Sequence, residues 1–158
     1  IYFSYPFGEY NLEQKNYISN NFEFAFGQHS GVIDLNKDRY ELPRFPINEK
    51  YGEIKRFKEV ISYLPLQYKI IKPENKFMND GENPPKMTIE FFEDQKNLEN
   101  INCFSNEGSK WRKTKIILND NILNINFSEK FIERRGRINC SLKDENGWRF
   151  SGFQFVQN

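Results

Sequence analysis

The first residues of the chain, Ile1-Tyr2-Phe3-Ser4-Tyr5-Pro6-Phe7-Gly8-Glu9-Tyr10-Asn11, constrain its fold more than any other stretch. An aromatic, apolar run leads into a Pro-Gly loop and then to Asn11, a residue suited to cap a helix. Residues 12–19 read as a short helix and Phe22-Glu23-Phe24-Ala25-Phe26 as a second strand, which together make a βαβ unit. The first strand of such a unit needs a neighbour, yet here it begins at the first residue. The expectation is therefore the C-terminal part of something larger, with an upstream half covering the strand edge.

Beyond the βαβ unit, Gly27-Gln28-His29-Ser30-Gly31 reads as a loop. Leu42-Pro43-Arg44-Phe45-Pro46 is held extended because the residue before each proline is pushed out of the α region. Residues 49–64 carry Ile54, Phe57, Val60, Ile61 and Leu64 at helical spacing. Pro65 stops that helix. Proline and turn residues in 67–86 mark a linker. From residue 87 onward, short strand-like runs alternate with Asn106-Glu107-Gly108, Asn119-Asp120-Asn121 and Asp144-Glu145-Asn146-Gly147, the pattern of a small antiparallel β-sandwich. The fold class is thus α/β plus all-β, divided as 1–66, a linker at 67–86, and 87–158.

Charge excludes some function classes. Lys and Arg number 23 against 22 Asp and Glu, a net charge of +1, so no global field draws nucleic acid or an anionic membrane. No run approaches the roughly 18 apolar residues of a membrane-spanning helix. Aromatic residues make up 16% of the chain, which suits β-structure and sugar stacking. Cys103 and Cys140 both fall in strand-like contexts, and spacing leaves two outcomes open: one disulfide, or two buried thiols.

Several of these segments, taken in order, resemble NodB-type polysaccharide deacetylases, carbohydrate esterase family four. Tyr5-Pro6-Phe7-Gly8-Glu9-Tyr10-Asn11 is similar to the family's third motif. Phe22-Glu23-Phe24-Ala25-Phe26, the loop from Gly27 to Ile33, and Leu42-Pro43-Arg44 resemble the segments that come after that motif in a secreted subgroup. Arg137-Ile138-Asn139-Cys140-Ser141 and the run from Gly147 to Phe155 resemble the end of an appended β-rich domain.

The resemblance implies the last βα units of a distorted (β/α) deacetylase barrel over 1–66 and an accessory sandwich over 87–158. The implied enzyme hydrolyses N-acetyl groups of an N-acetylglucosamine polymer in a periplasmic or secreted setting, where Cys103 and Cys140 would pair. It uses a divalent metal, usually zinc, held by one Asp and two His. Nothing here matches those ligands, and His29 is the sole histidine. The metal and the catalytic Asp are accordingly expected on the upstream half, and none is assigned to this chain alone, which is expected to be inactive by itself.

The resemblance also implies residue roles. The Phe7 N–H would help bind the oxyanion. Ser4 stands near the place of the family's arginine, and Arg44 is the candidate to replace it. His29 would act only if it reaches the site. Tyr5, Pro6, Gly8, Gln28 and Ser30 would contact substrate. Duller readings stand beside these: a turn at Pro6 and Gly8, a loop donor at His29 and an ion-pair residue at Arg44. Trp111 and Trp148 read as sugar-stacking or core residues, and the basic residues Lys110, Arg112, Lys113, Lys115, Arg134, Arg135 and Arg137 as solvated strand faces and turns, with an anionic-glycan contact as the alternative. The rival readings of the whole chain are a non-catalytic carbohydrate-binding module and a structural envelope protein.

Overall fold

The structure is a computed structural model that describes residues 1–157. Strand β1 (Tyr2–Ser4) and strand β2 (Phe24–Phe26) pair in parallel, Tyr2 opposite Phe24 and Ser4 opposite Phe26. Helix α1 (Leu12–Ser19) connects them, so the expected βαβ unit is present. A reciprocal capping box fixes where α1 starts. Asn11 Oδ1 accepts from Gln14 N at 2.8 Å, and Gln14 Oε1 accepts from Asn11 N at 3.0 Å. Tyr5, Tyr10, Ile18 and Ala25 form the small core of the unit.

Helix α2 (Ile54–Val60) is shorter than the expected 49–64. Asn48 holds Tyr51 N in a turn with its side chain, at 3.0 Å, and Arg56 donates to the carbonyls of Pro46 and Tyr51, so the first residues of that stretch form a loop. Of its apolar positions only Val60 is buried. At the other end Leu64 leaves the helix for strand β3 (Leu64–Pro65).

The rest of the chain forms two sheets. Strands β4 (Ile70–Lys72), β5 (Phe77–Met78), β6 (Met87–Glu90), β7 (Asn102–Ser105), β8 (Arg112–Lys113), β9 (Lys115–Asn119), β10 (Ile122–Asn126), β11 (Arg135–Asp144) and β12 (Gly147–Gln157) follow in order. One sheet runs β4-β6-β10-β9. The other runs β3-β12-β11-β7-β8, with β5 also paired to β12. Between them lies the main core, including Ile89, Phe91, Leu123, Ile138, Leu142 and Phe155. The molecule is therefore mostly β-sheet with two helices, and no barrel closes among the described residues. The stretch 67–86, expected as a linker, supplies β4 and β5 to the sandwich. Their brevity hides them in the sequence, because they exist by pairing to longer strands.

Cys103 and Cys140 sit opposite each other on β7 and β11 and form a disulfide, with Cα atoms 4.1 Å apart. Of the two outcomes open in the sequence, the bond is the one present.

Strand β12 joins the two parts. One edge pairs along its length with β11. The other edge is shared by β3, by a bridge from Gly31 to Ser151, and by β5. Residues 151–156 of β12 are all buried, without the alternation of a strand that has one wet face. The βαβ unit and its loops account for this: Gln154 Nε2 donates to Gly8 O at 3.2 Å, and Gly152 N donates to Ser30 O at 2.7 Å. A Cβ at Gly152 would run into Ser30 O and lie 2.7 Å from Asn139 Oδ1, so this close approach requires glycine.

Candidate functional site

At the end of β1 the chain makes a tight turn over Pro6–Gly8. Gly8 N donates to Tyr5 O at 2.8 Å and Glu9 N to Pro6 O at 3.1 Å, while the Phe7 N–H donates to no backbone carbonyl among the described residues. Phe7 has φ 56 and ψ 8, a left-handed conformation unusual for a bulky side chain, and the residue is 67% exposed. Such outliers persist where the surroundings hold them, and they gather at functional sites.

The sandwich does the holding. Arg135 Nη1 donates to Gln28 Oε1 at 3.1 Å and to Phe7 O at 3.5 Å, and its guanidinium lies 5.9 Å from the Phe7 ring. Arg134 Nη2 pairs with Glu9 Oε2 at 2.8 Å. Gly8, at φ +69, packs so closely on Gln28 that a Cβ would collide with the Gln28 backbone nitrogen.

From Gln28 a cleft of about 720 Å³ opens between the two parts of the chain. One wall carries Gln28, His29, Ser30, Arg44 and Arg56; the other carries Trp111, Arg137, Asn139 and Phe153. Three arginines line it, and no carboxylate does. Arg56 is committed to two backbone carbonyls. Arg44 and Arg137, by contrast, are exposed, and among the described residues neither guanidinium has a hydrogen-bond or ion-pair partner. The side-chain amide of Asn139 is likewise unspent. The cleft can therefore offer unspent donors, an aromatic surface at Trp111 and positive charge.

His29 takes part differently. Its carbonyl accepts from Arg44 N at 3.0 Å, which ties the loop to the extended segment. Its ring packs over Gly27, with Nδ1 2.7 Å from where a Cβ there would stand. Burial, with help from the charges of Lys76 and Lys37 and against Glu41, pulls its pKa down to about 4. The imidazole is thus neutral at pH 7.

A polar cluster surrounds Glu41: Tyr10 donates its hydroxyl to Glu41 Oε2 at 3.0 Å, and Lys15 bridges Asp38 at 2.7 Å and Glu41 at 3.4 Å. Lys37 lies 3.7 Å above the Tyr68 ring and donates to Ser151 Oγ at 3.2 Å; burial lowers its pKa to about 8. Among the described residues, no three His, Cys, Asp or Glu side chains cluster as a metal site would need.

The structure therefore gathers Gln28, His29, Ser30 and Arg44 at one cleft, and sets Phe7 and Gly8 beside Gln28. Tyr5 and Pro6 line a different cavity, of about 430 Å³, against α1. Tyr5 is 3% exposed and stacks on Tyr10 at 4.4 Å, with burial holding its phenol protonated.

Sequence reasoning gives no site role to Asn139, sets sugar stacking beside a core position for Trp111, and sets an anionic-glycan contact beside a solvated face for Arg135 and Arg137. A signal is present in β11, where burial alternates and sets Arg137 and Asn139 on the face opposite Ile138 and Cys140. Trp111 and Trp148, for which the core reading fails, are 52% and 47% exposed. Comparison of the chain with protein-family models, with curated proteins and with solved structures gives no match.

Proposed function

We propose that the chain is the C-terminal portion of a polysaccharide deacetylase that removes N-acetyl groups from an N-acetylglucosamine-containing polymer. The observation that carries this reading is Phe7: a left-handed residue at the end of a parallel strand, its N–H unspent, beside a donor-lined cleft. An amide fixed in this way is preorganised for a developing oxyanion, and one such donor is worth about 10²–10³ in rate.

In this reading Gln28 and Ser30 contact the sugar, and Arg44 holds the general base, an Asp from the upstream half, ionised and oriented. His29 is neutral and ties its loop to Arg44 through its carbonyl. Among the described residues no cluster of His, Cys, Asp or Glu side chains fits the metal that the family resemblance implies, whose ligands belong to the upstream half in this reading. The Cys103–Cys140 disulfide supports a periplasmic or secreted setting, where such bonds persist. Among the described residues no helix is long and apolar enough to cross a membrane.

The exposed Trp111 favours a second reading, a carbohydrate-binding module without chemistry, in which the same cleft binds glycan and releases nothing. Acetate release from N-acetylglucosamine oligomers by the native gene product separates the two. The deacetylase reading expects release and a roughly 10²-fold loss of turnover in Arg44→Ala, with an unchanged melting temperature. Near-normal turnover in Arg44→Ala, or a fall in melting temperature that accounts for the loss, removes Arg44 from the site. Glycan binding without any acetate leaves the binding module.

A further inference from the structure

The wall that the sandwich contributes to the cleft has chemistry of its own. Arg137 and Asn139 project from the same face of β11, and Trp111 stands beside them just before β8. Arg137 bonds to Asn106 through its backbone N–H, which accounts for the strand and leaves the guanidinium free. The chain has 23 basic and 22 acidic residues, and the cleft lining holds three arginines and no carboxylate. The adjoining hollow toward α2 does hold Glu53 and Glu59. There Lys55 and Arg56 balance them, so the unbalanced positive charge lies in the cleft, where Arg137 is the sandwich wall's cation among the described residues.

A neutral sugar laid over Arg137 would strip water from a guanidinium and return no counter-charge, which is costly. A carboxylate would return it through two parallel N–H···O bonds in the geometry a guanidinium favours.

Resting on the reading of the cleft as a glycan site, we propose that Arg137, Asn139 and Trp111 form a subsite for an acidic sugar, with Arg137 clamping its carboxylate. Trp111 supports the apolar face of the ring, and Asn139 bonds to a ring hydroxyl. The polymer is then one in which N-acetylglucosamine alternates with, or carries, a carboxylated unit.

The test is isothermal titration of the whole chain with three probes: a hyaluronan hexasaccharide, in which N-acetylglucosamine alternates with glucuronate; a neutral N-acetylglucosamine hexamer; and polyglutamate of matched charge. The expected result is at least about tenfold tighter binding of the hyaluronan fragment than of the neutral hexamer, a preference weakened by added salt. Arg137→Gln should remove most of the preference by weakening the hyaluronan fragment more than the neutral hexamer, and Trp111→Ala should weaken both sugars. Arg137 is exposed on a strand, so Arg137→Gln should melt with the wild type, and a melt on each variant checks this.

Equal affinity for both sugars, with Arg137→Gln changing neither, overturns the acidic subsite and leaves the glycan cleft standing. Polyglutamate binding as tightly as the hyaluronan fragment overturns it too, since charge alone would then suffice. Binding of neither sugar takes down the glycan reading itself.

Discussion

Gly152→Ala is the sharpest perturbation of the seam on which the cleft depends. The added methyl would press on Ser30 O and stand 2.7 Å from Asn139 Oδ1. Ser30 O is the acceptor for Gly152 N at 2.7 Å, so the substitution pushes away the partner of its own amide. Losing that hydrogen bond costs about 1 kcal/mol, and forcing a methyl into a packed position adds about 1–3 kcal/mol. At this chain length 1 kcal/mol moves the melting temperature by about 2–4 °C, so a fall on the order of 10 °C is expected. Gly81→Ala is the control, because a Cβ there would meet nothing within 4 Å. Both variants should be melted by circular dichroism and titrated with oligosaccharide. Gly152→Ala should lose affinity as well as stability, since Ser30 and Asn139 line opposite walls of the cleft. A Gly152→Ala protein melting within about 2 °C of wild type would refute this picture of the seam.

Thiol titration of denatured, unreduced protein should find neither Cys103 nor Cys140 free, and replacing both with Ala should cost about 3–4 kcal/mol, the loop-closure value for a separation of 37 residues; two titratable thiols would contradict the pairing. The folded pKa of His29, about 4, lies below its unfolded value near 6.5, so the unfolded chain takes the proton first: the stability His29 contributes is whole above pH 6.5 and drains as pH falls toward 4. Urea midpoints at pH 7.5 and pH 5 should therefore differ more in wild type than in His29→Gln, and equal differences would show the ring to be solvated. Phe7→Gly should keep stability within about 1 kcal/mol, because relief at φ 56 offsets a mostly exposed ring over Arg135. On the deacetylase reading it should also keep turnover, since the amide stays; a large loss would mean that the ring, not the N–H, matters.

Elements that stand on their own carry local signals. Helix α1 begins where Asn11 and Gln14 cap each other, and both signals lie within one turn of sequence. Strands β6, β7 and β9 to β12 carry enough alternation to be recognised, whereas β8 has two residues and leaves no signal; β11 and β12 reach ten and eleven residues because they form the central hairpin of their sheet. The elements that escape recognition depend on distant partners. Strands β3 and β5 have only two residues each and take their conformation from the edge of β12. The stretch at 49–64 has helical spacing, but Arg56 and Asn48 spend their side chains on backbone groups that then cannot join the helix. At the site, Gln28, Ser30 and Arg44 are legible from their order along the chain. For Arg137 and Trp111 the sequence leaves a glycan contact only as the alternative to a solvated face and a core position, because an exposed arginine on a strand looks like any other solvated residue until the opposite wall of the cleft is known.

The contacts that hold the two parts together differ in weight, and this decides what sets the shape of the cleft. Arg134 meets Glu9 in a pair exposed on the arginine side, and such pairs add little to stability and weaken in salt. The bond from Gly152 N to Ser30 O and the buried bond from Gln154 Nε2 to Gly8 O are sheltered, and breaking either would leave a polar group dry at a cost of about 1–3 kcal/mol. Backbone approach across glycine, more than the ion pairs, therefore fixes the seam. The same two glycines lie on either side of Gln28 and Ser30: Gly8 presses on Gln28, and Gly152 presses on Ser30. Phe7 on one side and Arg137 and Asn139 on the other are thereby held against a single loop, so the seam determines their spacing.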